Sequence, residues 1–335
     1  MLPVLLLALA GLTADAASAG TPAAEGAAAL RVERSLAHLN ALRIAAGTNA
    51  LERSEMLSLS AARHAGYLAD NGFRSAPSVH AEAAGLPGFT GADPFVRMRA
   101  TGYRASYSTE VIGDMGSMAT DSDCLDHLMR TVYHAALLLS RVTEAGAAYG
   151  AGRAAGTCVI DLGAPLAAAT AGAAGRRQIV RYPWPGMTTT TGSLRLDLEV
   201  PRPAPALLPE ANVGIPVLVG LGDAGSARAD SGSPGIRIQE FEMRDADETL
   251  VPCVILADAT IAGPGIVADG QLHGGFAALI PRKPLRAGRY RILLHATVGT
   301  DVVAPAPWTF TVSPGDMPSD SGRASGREEP AAARP

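Results

Sequence analysis

Apolar residues at helical spacing dominate the first half of the chain. Side chains that recur every three to four residues fall on one face of a helix and point to a core. Gly72, which follows the second of these patterns, is a residue typical of helix ends. Four helices are predicted, starting with the pattern of Val32, Leu36, Leu39 and Arg43 and continuing over residues 54–71, residues 93–101 and a stretch from Ser122 or Asp123 to Val132.

Shorter runs with strand character lie between and after these helices. We expect strands over residues 108–112, 145–149 and 157–162. Helices interleaved with few strands indicate an α+β layered domain.

In the second half, apolar residues recur at every second position and no longer at helical spacing. Leu194, Leu196, Leu198 and Val200 alternate with Arg195, Asp197 and Glu199, and residues 290–298 alternate in the same way. In residues 236–244 the apolar phase slips between Ile238 and Phe241, which predicts a β-bulge. Several short alternating strands separated by Pro and Gly predict an all-β, immunoglobulin-like sandwich.

Composition divides the chain into five segments. Residues 2–12 form an apolar run of signal-peptide length, and Ala17-Ser18-Ala19 follows as a cleavage pattern, although no Lys or Arg precedes the run. We therefore expect a secreted protein, periplasmic or extracellular. The predicted segments are a signal peptide at 1–19, an α+β domain at 20–165, an Ala/Gly-rich linker at 166–181, a β-sandwich at 182–314 and a disordered tail at 315–335.

Charge and hydropathy exclude two classes of partner. The formal net charge is −4 and no block of Lys or Arg occurs, so we do not expect nucleic acid as a partner. Apart from the short N-terminal run, no stretch is long and apolar enough for a membrane span.

Three cysteines leave the disulfide pattern open. Cys124 and Cys158 lie in the same half and form a plausible pair in an oxidising compartment, with Cys253 left over. Two small buried residues are an equal alternative.

Few motifs point to chemistry. Residues 220–225 fit the dinucleotide fingerprint literally, but the loop composition after them does not predict the helix that the fingerprint requires. His80 in a loop, Glu110 in a strand and His134 at a helix end are more suggestive as a set. Taken singly, His80 is also explained as a solvated loop residue, Glu110 as an outward-facing strand carboxylate and His134 as a histidine at a helix C-terminus.

Four blocks of sequence, in matching order and spacing over about residues 29 to 163, resemble a known family. They are residues 39–51, residues 57–65 with 71–73 and His80, residues 97–103 with 110–112, and residues 128–138 with 143–146. These blocks resemble the CAP superfamily of cysteine-rich secretory proteins, antigen 5 and plant pathogenesis-related proteins. Thr109, Val111 and Leu128 replace the family's Gly, Asn and Trp. The chain therefore resembles a divergent, bacterial-type member, and its second half resembles the Ig-like domain that often follows CAP domains in exported bacterial proteins.

The resemblance implies a three-layer α-β-α sandwich with two histidines and two acids in one cleft. His80, Glu110 and His134 match three of these positions, and Thr131 stands where the family has the fourth, acidic one. Glu82 is the candidate replacement. The expected metal ligands are thus His80, Glu82, Glu110 and His134, a set that suits a divalent ion such as Zn²⁺.

Two functions follow from this resemblance. The first is a non-enzymatic module whose cleft binds a divalent metal or a small apolar ligand, with the β-sandwich as a spacer or as an interaction module for a cell-surface component. The alternative is a metal-dependent hydrolase that uses the same cleft. Without metal, the same residues would form a buried hydrogen-bond network.

Overall fold

The computed structural model describes residues 22–73, 76, 78–114, 121–150, 156–166, 179–196, 199–222 and 235–314. Over these residues the fold is mixed α+β, with the helices in the first half and most of the strands in the second. The predicted signal peptide, residues 167–178 of the predicted linker and the predicted disordered tail lie outside the described residues.

The first half forms five helices and four strands within the described residues. The helices are α1 (Pro22–Ala46), α2 (Glu55–Asn71), α3 (Pro94–Ala100), α4 (Asp121–Met129) and α5 (Tyr133–Leu138), and the strands are β1 (Glu52–Arg53), β2 (Ala105–Asp114), β3 (Glu144–Tyr149) and β4 (Thr157–Pro165). The strands form one sheet in the order β1-β3-β4-β2. Helix α1 starts earlier than the periodicity predicts, because the apolar pattern begins only at Val32.

Helices cover both faces of this sheet. On one face, Ile112 and Val159 share a buried cluster with Ala61, Ala65 and other residues of α2. On the other, residues of α1 and α4 pack against the alternate strand positions, as Leu39, Leu125, Val111 and Ile160 do. Because side chains alternate along a strand, consecutive residues such as Val111 and Ile112 serve opposite faces.

Cys124 and Cys158 form a disulfide that ties α4 to β4. The pairing that the sequence left open is therefore present. Gly113 of β2 lies against both sulfur atoms, since a Cβ built on it would come within 2.6 Å of the Cys124 sulfur. Cys253 is free and half-buried.

Within the described residues, the elements of the second half are strands. They are β5 (Val180–Tyr182), β6 (Thr188–Thr189), β7 (Ser193–Arg195), β8 (Asn212–Gly214), β9 (Val217–Gly220), β10 (Ile236–Arg244), β11 (Cys253–Ala257), β12 (Ile261–Ala262), β13 (Ile266–Ala268), β14 (Phe276–Pro281), β15 (Gly288–Val298), β16 (Asp301–Val303) and β17 (Trp308–Val312). One sheet has the order β12-β10-β15-β17-β6, with β16 on β15, and a second has the order β13-β11-β14-β9-β5. Strand β5 starts inside the range expected for the linker.

The register of β10 against β15 confirms one detail of the sequence pattern. The pairing shifts between Ile238 and Glu240, which is the bulge that the slipped apolar phase predicts.

The burial pattern predicted from the alternation over residues 194–200 is wrong at its end, because Glu199 is 2% exposed and Val200 is 83% exposed. Regular strand geometry ends at Arg195, so the period-two argument no longer applies at Glu199.

No helix among the described residues is long and apolar enough to cross a membrane.

Candidate histidine site

His80 and Glu110 are brought together across the edge of the first sheet. His80 lies in the loop after α2, and its Nδ1 is 2.9 Å from Oε1 of Glu110. Glu110 begins the buried part of β2, so its side chain is 1% exposed, whereas that of His80 is 34% exposed. The histidine therefore connects a buried carboxylate to the surface.

Arg97 holds this pair from helix α3. The helix is set by Asp93, whose side chain accepts the Val96 amide, and by Pro94 at its first position. The Arg97 guanidinium donates to both oxygens of Glu110, at 2.9 and 2.7 Å, and to the backbone carbonyl of His80 at 2.9 Å. Burial alone would raise the pKa of Glu110, but the bond from His80 and the charge of Arg97 outweigh it, so the pKa is lowered. Glu110 is thus ionised.

Glu82 lies on the far side of Arg97 and pairs with a different histidine. Its Oε1 is 2.9 Å from Nδ1 of His64, and its Oε2 accepts the backbone amides of Thr90 and Gly91. Burial acts to raise its pKa, but the hydrogen bonds from His64 and Thr90 prevail and lower it. The side chains of His64 and Glu82 are both fully buried.

The buried charges around Arg97 are paired. Both nitrogens of His64 lie at hydrogen-bond distance from acceptors, Glu82 on one side and the carbonyl of Val79 at 2.9 Å on the other. Arg97 in turn faces the carboxylates of both Glu82 and Glu110, as the cation of a buried ionic network should.

Asp161 is a third buried acid, opposite Glu110 in the β2–β4 register. Neither of its carboxylate oxygens forms a hydrogen bond of normal geometry with a described residue. Burial and the negative charge of Glu110 raise its pKa well above the ordinary value. Asp161 therefore holds its proton more tightly than an ordinary aspartate does.

His134 approaches from the first turn of α5. Its Nδ1 is 3.1 Å from Oγ1 of Thr131, whose own proton goes to the carbonyl of Leu128. Burial, followed by the positive charges of His80 and His127, lowers the pKa of His134 to about 4. Its imidazole is therefore neutral at neutral pH.

The second half of the chain reaches this site through Glu199. Its carboxylate accepts the backbone amide of Val132 at 2.9 Å and that of Tyr133 at 2.7 Å. Its Oε1 is 4.0 Å from Nδ1 of His134, and its side chain is fully buried. Burial raises the pKa of Glu199 to about 7, against the hydrogen bonds that lower it.

The four expected metal ligands do not form a ready-made metal site. In the part of the chain that the structure describes, no group of three or more His, Cys, Asp or Glu residues is arranged to hold a metal ion. What the structure offers is two imidazoles, His80 and His134, whose Nδ1 atoms are taken up by Glu110 and Thr131. Each therefore keeps its Nε2 for an outside partner.

Sequence reasoning missed four residues of this site: His64, Arg97, Asp161 and Glu199. His64 and Arg97 fall within the blocks that resemble the CAP family, so their place there was the available signal. Nothing in the local pattern marks Glu199, which lies 67 residues from the amide it binds.

Two openings in the described part of the chain lie away from His80 and His134. One, between α1 and the sheet, has a volume of about 10 Å³, enough for a single water molecule. The other has a volume of about 830 Å³ and is lined by α3, by the start of β2 and by His273 of the second half. Neither opening includes His80, Glu110 or His134, so a ligand seated in either would not touch these residues.

Comparison with known proteins adds no assignment to this geometry. No family model matches the chain, and no curated protein matches it at a significant level.

Proposed function

We propose that this chain is an exported, non-enzymatic CAP-type module that binds a divalent cation such as Zn²⁺ between His80 and His134. The second half is an Ig-like spacer or interaction module. The cation would be held by the Nε2 atoms of the two histidines, and water would complete its coordination.

The observation that carries the proposal is the way the two rings are fixed. A histidine that binds a metal almost always donates its other ring N–H to a carboxylate, a backbone carbonyl or water, which sets its tautomer and orientation. His80 does so to Glu110, at 2.9 Å, and the Nδ1 of His134 is 3.1 Å from the Thr131 hydroxyl oxygen. Both rings are partly exposed, at 34% and 18%. A neutral His134 at neutral pH supports a ligand role.

The two glutamates expected as ligands receive supporting roles in this proposal. Glu110 orients His80 and is itself held by Arg97. The carboxylate of Glu82 is fully buried and engaged by His64, Thr90 and Gly91. Both carboxylates are therefore occupied by protein groups, and the ion would rely on the histidines.

A binding role is favoured over hydrolysis by the same contacts. A metal-dependent hydrolase needs a base that can take a proton from metal-bound water. The carboxylates nearest the histidines, Glu110 and Glu199, are buried and accept bonds from Arg97 and from the backbone of α5. Neither is placed to act as that base.

Two features support the CAP-type and exported parts of the proposal. Helices flank the first sheet on both faces, as the family resemblance implies. The Cys124–Cys158 disulfide is of a kind that persists in oxidising compartments.

The test is the zinc content of the purified protein after equilibration with Zn²⁺ and removal of the free ion. We expect one zinc per wild-type chain and a loss of that zinc in His80→Ala and in His134→Ala. His295→Ala, on an exposed face of β15, is the matched control and should keep it. Equal zinc content in all four proteins would end the proposal, and zinc-dependent hydrolysis of peptides or esters would replace it with the enzymatic alternative.

A further inference from the structure

The segment that carries His134 is bonded to the other half of the chain at several points. Between residues 130 and 134, three contacts come from the second half. Arg130 donates to Oγ1 of Thr191 at 3.1 Å, Glu199 accepts the amides of Val132 and Tyr133, and the Tyr133 hydroxyl donates to Asp269 at 2.8 Å. His134 follows immediately. Its position thus depends on residues that lie outside the α+β half.

Glu199 caps the N-terminus of helix α5, a role that a residue next to the helix usually has. The residue before the helix is Val132, and it provides no side-chain cap. The first amides of a helix have no partner within the helix, and a buried one must find another acceptor. Here the Glu199 carboxylate accepts two of them, and a negative group at a helix N-terminus is favourable. Without it, the first turn of α5 would lose its only side-chain acceptor among the described residues.

The same carboxylate lies beside His134 itself. Oε1 of Glu199 is 4.0 Å from Nδ1 of His134, on the side of the ring that Thr131 also contacts. Glu199 therefore acts on the orientation of this ring in two ways, through the backbone that carries it and through the neighbouring carboxylate.

We infer that the second half of the chain is a working part of the histidine site, in which Glu199 positions His134 so that cation binding and docking of the two halves strengthen each other. This inference rests on the proposed function for its metal component. Such coupling is reciprocal, because a ligand that favours the docked state must be bound more tightly by it. Glu199 is a positioning residue, since it supports the histidine and does not touch the cation.

The experiment compares the wild-type protein with Glu199→Gln and with Glu210→Gln, an exposed control in the same half. Zinc affinity is measured by competition with a chromophoric chelator. We expect Glu199→Gln to weaken zinc binding about tenfold, the usual effect of removing a group that orients a metal ligand. Glu210→Gln should leave it unchanged. Tyr133→Phe, which removes the bond to Asp269 but keeps Glu199, should weaken it less, and it serves as the second variant if Glu199→Gln does not fold.

Two readouts on the metal-free protein separate this inference from the proposed function. The ring signals of His134 in NMR spectra should move in Glu199→Gln and stay in Glu210→Gln, and the amides of Val132 and Tyr133 should exchange faster in the first variant only. If wild-type protein binds no zinc, the proposed function fails and these two readouts decide the positioning role alone. Unchanged ring signals and amide exchange in Glu199→Gln, or unchanged zinc affinity in a wild-type protein that binds zinc, would overturn the inference.

Discussion

At the scale of single residues, Arg97 connects the groups near the histidines. Its guanidinium is bonded to Glu110 and to the carbonyl of His80, and its Nε is 3.7 Å from Glu82. The side chain is fully buried, so the two carboxylates have little access to water as a substitute partner. The charge of Arg97 adds to the hydrogen bonds from His64, Thr90 and His80 that lower the pKa values of these two carboxylates.

Replacing Arg97 by Met should destabilise the protein strongly. Removing one partner of a buried ionic network leaves uncompensated charge and typically costs about 3–5 kcal/mol of unfolding free energy. Arg99→Met is the matched control, because Arg99 lies in the same helix but is exposed, and its effect should stay within about 0.5 kcal/mol. Urea unfolding of both variants measures the difference. Equal losses in both would contradict the network described here.

Glu199 predicts a pH dependence with a definite sign. Its pKa rises from the ordinary 4.5 to about 7 on folding, so the folded state binds more protons between these values. The contribution of Glu199 to the free energy of unfolding is therefore lost as pH rises from about 4.5 to about 7, by a total of about 3 kcal/mol. His134, whose pKa falls to about 4, acts in the opposite sense over much of this range.

The difference between wild-type and Glu199→Gln removes the contribution of groups away from the site and leaves that of Glu199 with any change at His134, which is 4.0 Å away. The wild-type protein should lose stability relative to the variant as pH rises through this window, as followed by thermal unfolding at several pH values. A difference that is constant with pH would show that Glu199 has an ordinary pKa in the folded protein.

Part of the residue-level account could be predicted from the sequence. His80 and Glu110 were expected as neighbours, and they form a hydrogen bond. Arg97 and His64 were not expected there, because hydropathy places charged groups at the surface. It cannot show that such side chains pair with buried carboxylates in the interior. Glu199 was placed outward by its alternation with Leu198 and Val200, and only the tertiary contact with α5 explains its burial.

At the scale of elements, the contact between α2 and β3 depends on a glycine. A Cβ on Gly146 would lie 2.0 Å from the backbone nitrogen of Ser58 and 2.2 Å from the carbonyl carbon of Leu57. These are backbone atoms of the helix, so they cannot move aside as a side-chain end could. The close approach brings α2, which carries His64, onto the sheet that carries Glu110.

Gly146→Ala should therefore destabilise the protein by at least about 2 kcal/mol, as overpacking against rigid neighbours does. Gly66→Ala is the control within α2, where an added Cβ meets nothing within 4 Å. Because alanine is the better helix former, this second change should stabilise by about 0.5–1 kcal/mol. Opposite signs in thermal unfolding support the packing described, and a neutral Gly146→Ala would refute it.

The elements themselves followed largely from periodicity. Helix α2 and strands β2 to β4 lie where the apolar pattern predicts them, and the bulge in β10 explains the slipped phase. The early start of α1 was not predicted, because residues 22–29 are mostly alanine and glycine and carry no apolar stripe. Strand β5 was read as linker, since its three residues, Val180–Tyr182, are too few to show alternation.

At the scale of the whole molecule, the two halves are joined by specific contacts near His134. Glu199 and Asp269 reach α5 from the second half, and Arg130 of the first half reaches Thr191. The composition of the chain predicts two domains but gives no information on how they meet. That junction brings residues of the second half next to His134.

A crystal of the full chain soaked in zinc, with anomalous data collected on both sides of the zinc absorption edge, tests directly whether His80 and His134 bind the ion. We predict one strong anomalous peak about 2.0–2.1 Å from the Nε2 atoms of both histidines, with water as the remaining ligands. No peak between these two histidines, or imidazoles that point to separate faces of the molecule, would contradict it.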